Sequence, residues 1–450
     1  MISMKLRDLL IAAVVLAGLL GALYWSNHHK AGEDAGAKTS LEASPKILSL
    51  NQADITRLTI RRKDAPQVDL SRNDSGTWQI VAPQTLAADQ EAVSSILFTL
   101  SSLSSDRLLE EKATDTAPFG LASPALELDI TLKGNKSQKL LVGDQTPSGG
   151  AYYVALAGDP RLFTLAGYNK TSLDKSLNDL RDKRLFTADF DKVGQIELLS
   201  QKRGKVQNIT FAREKDAWQI LKPKPYRMES YQMDDLVRAL REARFDASSD
   251  ADATKAGVAF RSASPLATVK VTGASGTQEL ELRKANDDCY AKSSVVSGVY
   301  KVPVTLSRSL DKSLDDFRNK KLFDFGYEEP SKIEIHDRST AYFLTHSGSD
   351  WWGPDGKKLE ESSAEALVGK LRDLAAHKFP DSGFASPSIE LSVTSKEGKR
   401  VEKVSIARSG DNYIAKRADE PALYEISSSA IADLLKAAAD LKPAPEPKKK

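Results

Sequence analysis

Ser172-Leu173-Asp174-Lys175-Ser176-Leu177-Asn178-Asp179-Leu180-Arg181-Asp182-Lys183-Arg184-Leu185-Phe186 returns further along the chain as Ser309-Leu310-Asp311-Lys312-Ser313-Leu314-Asp315-Asp316-Phe317-Arg318-Asn319-Lys320-Lys321-Leu322-Phe323. Identity at 11 of 15 positions, with conservative exchanges elsewhere, marks an internal duplication. Working outward, Ala-Ser-Pro occurs at 122–124, 263–265 and 385–387, each time ahead of an alternating apolar run, which adds a third copy. Trp78, Trp218 and the Trp351-Trp352 pair mark one point in each copy, and Tyr153, Tyr290 and Tyr413 mark a later one. The predicted organisation is three diverged units of about 130 to 140 residues. Their expected bounds are 47–188, 189–325 and 326–441.

Within a copy the apolar period identifies the elements. Ile55–Ile60, Val68–Leu70 and Trp78–Ile80 alternate around turn residues such as Asn73-Asp74-Ser75-Gly76, as in an antiparallel meander. Asp89 is placed to cap a helix whose stripe is Val93, Ile96, Leu97, Leu100 and Leu103. The stripe is repeated by Met233, Leu236, Val237 and Leu240, and by Ala364, Leu367, Val368 and Leu371. Leu126–Leu132 then opens a second strand group, continued by Lys139–Val142, Tyr152–Leu156 and Leu162–Leu165. The Ser172 segment is expected to close the unit as a helix. Strands, helix, strands, helix, without a βαβ rhythm, predict an α+β fold: three repeated modules of antiparallel sheet with packed helices.

A chain of 450 residues with 40% hydrophobic and 28% charged positions can bury a core in each of several domains. Its 64 Lys and Arg balance 62 Asp and Glu, so no sequence-wide field gathers phosphate backbones, and nucleic acid is not an expected partner. Leu9–Trp25 is uncharged and almost wholly apolar, about 26 Å as a helix, and Lys5 and Arg7 precede it. Residues 1–26 are therefore predicted to be a membrane anchor preceding the modules, with residues 9–25 in the inner (cytoplasmic) membrane and the bulk of the chain outside the cytoplasm. A cleavable signal peptide is the alternative; Ala35-Gly36-Ala37 lies far downstream for its cleavage site. Residues 27–46 read as a flexible stalk and 442–450 as a disordered tail.

Candidate chemistry has plainer readings. Ser172-x-x-Lys175 and Ser309-x-x-Lys312 have the spacing of a serine nucleophile and lysine base, but no Ser-Asp-Asn or Lys-Thr-Gly triplet accompanies them. The expected role is structural: Ser172 and Ser309 as N-caps, Asp174 and Asp311 in the first turn, and Leu173, Leu177 and Leu180 facing inward. Cys289 stands alone and reads as a half-buried strand residue. His28, His29, His336, His346 and His377 lack metal-ligand spacing, although His336 and His346 fall on neighbouring predicted strands that could bring them together. Arg181–Arg184 and Arg318–Lys321 read as solvated helix ends, and the tryptophans as core. No P-loop or nucleophile elbow occurs. Catalytic, cofactor-binding and metal-binding residues are all expected to be none.

Phe119-Gly120-Leu121-x-x-Pro124-Ala125-Leu126, the Val142-Gly143-Asp144 turn, Tyr152-Tyr153-Val154 and Leu162-Phe163-Thr164-Leu165 resemble the signature of the bacterial domain-of-unknown-function 4340 (DUF4340) family. The first copy fits it best; the second has lost the Gly-Leu before Pro265, and the third keeps Gly383-Phe384 in altered order. The resemblance implies a membrane-anchored protein whose genetic setting includes ABC-type export permeases and gliding-motility-like auxiliary subunits, and it carries no catalytic residue. The expected function is a non-enzymatic extracytoplasmic accessory subunit of an ABC-type transport system, acting through contact surfaces. A cell-envelope structural or wall-binding protein is the alternative.

Overall fold

The computed structural model describes residues 44–445 except 203, 216, 247–252 and 339. The anchor at 1–26, nearly all of the 27–46 stalk, and residues 446–450 of the tail lie outside the described residues. Among the described residues no helix is long and apolar enough to cross a membrane. Two compact units divide between Asp182 and Lys183.

In the first unit the elements are β1 (Ile55–Arg62), β2 (Val68–Arg72), β3 (Trp78–Ala82), β4 (Leu86–Ala87), α1 (Gln90–Ser101), β5 (Arg107–Glu110), β6 (Leu126–Leu132), β7 (Ser137–Gln145), β8 (Ala151–Leu156), β9 (Leu162–Ala166), α2 (Gly167–Leu173) and α3 (Leu177–Leu180). One antiparallel sheet results, ordered β4-β3-β2-β1-β6-β7-β8-β9-β5. The two expected strand groups are thus joined back to back through β1 and β6. The meander leaves β3 and the short β4 at one margin, so the chain must cross the sheet to reach the far side of β1, and α1 is that crossover. Its start is fixed by Asp89, whose carboxylate accepts the N–H groups of Glu91 and Ala92 at 3.0 and 3.2 Å. Val93, Ile96, Leu97 and Leu100 of its buried stripe share one core with the inward-facing residues of β6, Leu126, Leu128 and Ile130.

In the second unit the order recurs twice. β10 (Gln195–Lys202), β11 (Lys205–Glu214), β12 (Ala217–Lys222), α4 (Ser230–Arg241), α5 (Ala253–Ser262), β13 (Ser264–Gly273), β14 (Gly276–Ala285), β15 (Asp288–Ser293), β16 (Tyr300–Val302), α6 (Val304–Leu310) and α7 (Leu314–Phe317) build one sheet with its helices. β17 (Lys332–Asp337), β18 (Thr340–Ser347), β19 (Asp350–Trp352), α8 (Glu361–Asp373), β20 (Ile389–Ser395), β21 (Arg400–Ser409), β22 (Asn412–Arg417), β23 (Leu423–Ile426) and α9 (Ser428–Ala439) build the next. The sheets run β12-β11-β10-β13-β14-β15-β16 and β19-β18-β17-β20-β21-β22-β23. Three antiparallel sheets with packed helices make this an α+β chain of repeated modules. Leu185 and Phe186 pack in the core of the second sheet, and Leu322 and Phe323 in that of the third. The end of the fifteen-residue repeat therefore belongs, by packing, to the copy that follows it.

Two glycines of the family-like signature have a steric reason. A Cβ on Gly143 would lie 2.1 Å from the Phe119 carbonyl oxygen, and one on Gly120, at φ +73°, would lie 2.5 Å from the Asp144 carboxyl carbon. Gly143→Ala is accordingly expected to cost the first unit about 1–3 kcal/mol by forcing β7 away from the Phe119 turn. Thermal unfolding of the variant beside the parent checks this; an unchanged midpoint contradicts the packing described.

The expected capping by Ser172 and Ser309 is corrected. Each serine lies in the last turn of a short helix, its hydroxyl donating to the carbonyl four residues back, Tyr168 at 3.0 Å and Thr305 at 3.2 Å. Asp174 and Asp311 close these helices instead of opening them. The caps are Ser176 and Ser313, one turn on. The Ser176 hydroxyl accepts the Asp179 N–H at 3.2 Å, while the Asp179 carboxylate accepts the Ser176 N–H at 2.8 Å. The reason is visible in the spacing: three residues after Ser172 stands Lys175, which cannot accept a cap N–H, whereas three after Ser176 stands a carboxylate. The duplicated motif thus encodes a helix that breaks and restarts. Leu173 and Leu180 are buried as expected, and Leu177 half-buried.

Asp316 has the same capping role and also accepts the Lys202 ammonium at 2.9 Å. Burial raises its pKa, but the Lys202 and Ser313 hydrogen bonds and the Lys202 charge outweigh that and lower it to about 2. A depressed carboxyl contributes stability that is complete above its unfolded value near 4 and is lost as pH falls through about 2. Asp316→Asn is therefore expected to lower the urea midpoint at pH 7, with the gap to the parent closing as pH falls from about 4 to 2. A gap that stays constant over that window contradicts the assignment.

The expectation that Arg181–Arg184 and Arg318–Lys321 are solvated holds for Arg184, Lys320 and Lys321 and fails for the leading arginines. Arg181 and Arg318 are only 5% and 7% exposed. The Arg318 guanidinium lies 4.1 Å from the Tyr226 ring centre and 3.6 Å from that of Phe379, which places it between residues of the second and third modules. A planar guanidinium sheds water against aromatic faces more readily than a lysine ammonium does, so one charge in a basic run can be buried while its neighbours stay wet.

Candidate functional site

The broken helix leaves an open groove of about 440 Å³ in the second module, between α4 and α6. Asp235, Arg238 and Glu242 line it from α4 and its C-cap, and Arg244, Arg308 and Lys312 from beyond and opposite. Four cations thus face two carboxylates. Arg238 is satisfied by Asp235 at 2.5 Å. Among the described residues Arg308 has no carboxylate partner and the Arg244 side chain has none either, meeting the Arg241 carbonyl at 3.5 Å. Leu236, Ala239 and Leu306 form the floor.

Ser309 and Lys312, the sequence candidates for a nucleophile and base, both line this groove. They do not address each other: the Lys312 ammonium donates to the Gln232 side-chain oxygen at 2.9 Å, and the Ser309 hydroxyl donates back into its own helix. The arrangement presents cations to a ligand and holds no serine poised for attack.

The same place in the first module is a smaller groove of about 220 Å³, lined by Phe98, Thr99, Ser102, Ser104 and Tyr168. Its aromatic rims are largely exposed, Phe98 at 69% and Tyr168 at 72%. In the third module α9 runs unbroken where the other copies have two short helices, and Lys370 meets Asp433 at 3.0 Å across α8 and α9.

The remaining sequence candidates separate. Cys289, expected half-buried, is 1% exposed in β15. His336 and His346 are not brought together: His336 pairs with Ala341 at one end of the β17–β18 ladder, whereas the His346 N–H reaches the Ser331 carbonyl just beyond the other. His346 packs on Trp351, and His336 edges onto Phe343. Among the described residues no group of three or more His, Cys, Asp or Glu side chains could hold a metal ion. Trp78 and Trp351 are core residues, and Trp218 packs partly buried against the second core.

A charged cluster in the third module had no counterpart in the sequence reasoning. Arg417, 1% exposed, donates to both the Glu402 carboxylate (3.2 Å) and that of Asp419 (2.7 and 2.9 Å) and to the Leu322 carbonyl. Arg400 adds a contact to Glu402 at 3.1 Å and Asp324 at 3.0 Å; Arg227, from the second module, binds Asp324 and the Lys321 carbonyl. Burial, and then its hydrogen bond to Glu420, push the Tyr424 hydroxyl well above its ordinary pKa. Members at 227, 324, 400, 402 and 417 share no spacing that sequence could reveal.

Comparison with known proteins gives one informative result. A family profile described as a domain of unknown function (DUF4340) matches residues 78–259 and 218–389. No curated protein matches the chain. Among solved structures, a DNA polymerase sliding clamp from Pseudomonas aeruginosa aligns at 9% identity over 84% of this chain and 93% of its own, with a TM-score of 0.14, too low to carry any argument.

Proposed function

We infer, for a chain that belongs to the DUF4340 family, a non-enzymatic role: an extracytoplasmic accessory subunit of an ABC-type transport system, working through the contact surfaces of its modules. The observation that carries the non-enzymatic part is the fate of the duplicated Ser-x-x-Lys motif, whose serine donates into its own helix and whose lysine, in the second module, donates to Gln232 and not to the serine. The membrane setting rests on the apolar segment 9–25 behind Lys5 and Arg7, and the transporter on the family's genetic setting. Affinity purification from detergent-solubilised membranes is expected to recover a permease or auxiliary subunit with the chain, and recovery of the chain alone overturns the association. Protease added to spheroplasts is expected to degrade the modules, and their full protection overturns the orientation.

A second reading, wall binding, is favoured by one feature. Exposed Phe98 and Tyr168 beside serine and threonine hydroxyls are the residue types that stack on and hydrogen-bond to sugar rings. Co-sedimentation with purified cell wall, lost in Phe98→Ala/Tyr168→Ala, separates it from the first reading.

A further inference from the structure

We propose that the groove between α4 and α6 docks an acidic, amphipathic segment of a partner protein, its carboxylates meeting Arg244, Arg308 and Lys312 and its apolar side chains lying over Ala239 and Pro303. The proposal rests on the contact-surface reading and names the chemistry of the contact.

Length is the first argument. From Gln232 to Glu242 the groove follows α4 and its C-cap over eleven residues, about 15 Å, with Lys312 bonded to Gln232 at one end and Arg244 just past Glu242 at the other. A single phosphate or carboxylate engages only one stretch of such a site, whereas an extended or helical segment covers it. Charge is the second. Once Arg238 and Asp235 neutralise each other, Arg244, Arg308 and Lys312 outnumber Glu242, so the groove repels a basic occupant and draws an acidic one. The apolar lining is the third: a polyanionic polymer uses the cations and gains nothing from Ala239 and Pro303, while a peptide with one apolar face uses both.

The copies treat the equivalent place differently. The third module packs the equivalent helices together, with one continuous α9 and a Lys370–Asp433 bridge. The first keeps the groove open, but aromatic and hydroxyl groups line it. The cationic lining of the second module thus replaces the aromatic and hydroxyl lining of the first, while the serine caps that break the helix are common to both.

The test uses the purified full chain and a fluorescent peptide of about 14 residues, some 20 Å as a helix, built of glutamates with leucine on one face. Fluorescence anisotropy is expected to show binding that falls about tenfold or more in Arg244→Glu/Arg308→Glu, and by less than about twofold in Lys205→Glu/Lys399→Glu, a charge-matched change outside the groove. Arg308→Lys, which keeps the charge, is expected to retain most of the affinity, and circular dichroism confirms that each variant is folded. Equal loss in both reversed pairs, or equal binding of the peptide with glutamine for glutamate, overturns the proposal. Inorganic polyphosphate competing as tightly as the peptide overturns it in favour of a polymer ligand. A negative result here leaves co-purification with a permease unaffected, and failure of co-purification leaves peptide binding unaffected, so the two readings fail separately.

Discussion

Arg417→Ala is expected to lower the unfolding free energy of the 183–450 unit by about 3–5 kcal/mol. Arg417 and Glu402 are 1% and 2% exposed at their side chains, so neither can recover water when its partner is removed. Losing the guanidinium strands the Glu402 carboxylate with only Arg400 and the Asp324 N–H, leaves the Leu322 carbonyl without this donor, and opens a cavity the size of a long side chain. Glu420 suffers as well, because Arg417 lies 3.6 Å from an oxygen of a carboxylate whose other oxygen is buried without a hydrogen-bond partner. The cost is one of orphaned charge more than of lost attraction, and a paired replacement tells the two apart. Arg417→Met/Glu402→Leu removes both charges and keeps apolar volume, and is expected to be less destabilised than Arg417→Ala alone. Denaturant unfolding measures both variants; a double variant worse than the single one contradicts this account of the cluster.

How far the sequence reveals this molecule depends on the range over which each signal acts. Local signals carried well. The apolar stripe at 93, 96, 97 and 100 and the alternation at 126–132 became a buried helix face and a central strand, because each period is dictated by one element against one core. Capping was legible in kind and misplaced by one turn, since Ser172 and Ser176 look alike until the residue three positions on is asked whether it can accept an N–H. What failed was long-range: that β1 and β6 would join two meanders into one sheet, that Arg417 would face Glu402, and that Arg318 would lie between rings contributed from positions 226 and 379. The groove was half legible. Ser309 and Lys312 stood out through duplication, but their neighbours Arg238 and Arg244 lie far back in the chain and meet them only through the packing of α4 on α6.

Arg318→Ala is expected to cost about 2–4 kcal/mol, and to act on the junction between the second and third modules more than on either core. The basis is again internal comparison. In all three copies the segment after the terminal helix pairs with the one before the crossover helix: Arg181 with Ala88, Arg318 with Met228, and Pro443 with Leu359. The third module makes this pairing with a proline, so an arginine is not needed to close a module on itself. What Arg318 adds is a desolvated cation between Tyr226 of the second module and Phe379 of the third, beside the Arg227–Asp324 pair that links the same two modules. Truncation removes both ring contacts and leaves Phe379 packed on Tyr424 alone among its aromatic contacts. A single cooperative unfolding transition of the 183–450 unit in the parent is then expected to broaden or split in the variant, as two cores that unfolded together come apart separately. Lysine at this position is expected to rescue little, because an ammonium has no flat face to lie between two rings and gives up its water less readily. A variant that unfolds in one undiminished transition, or a full rescue by lysine, would show that charge alone holds the position and that the rings are incidental.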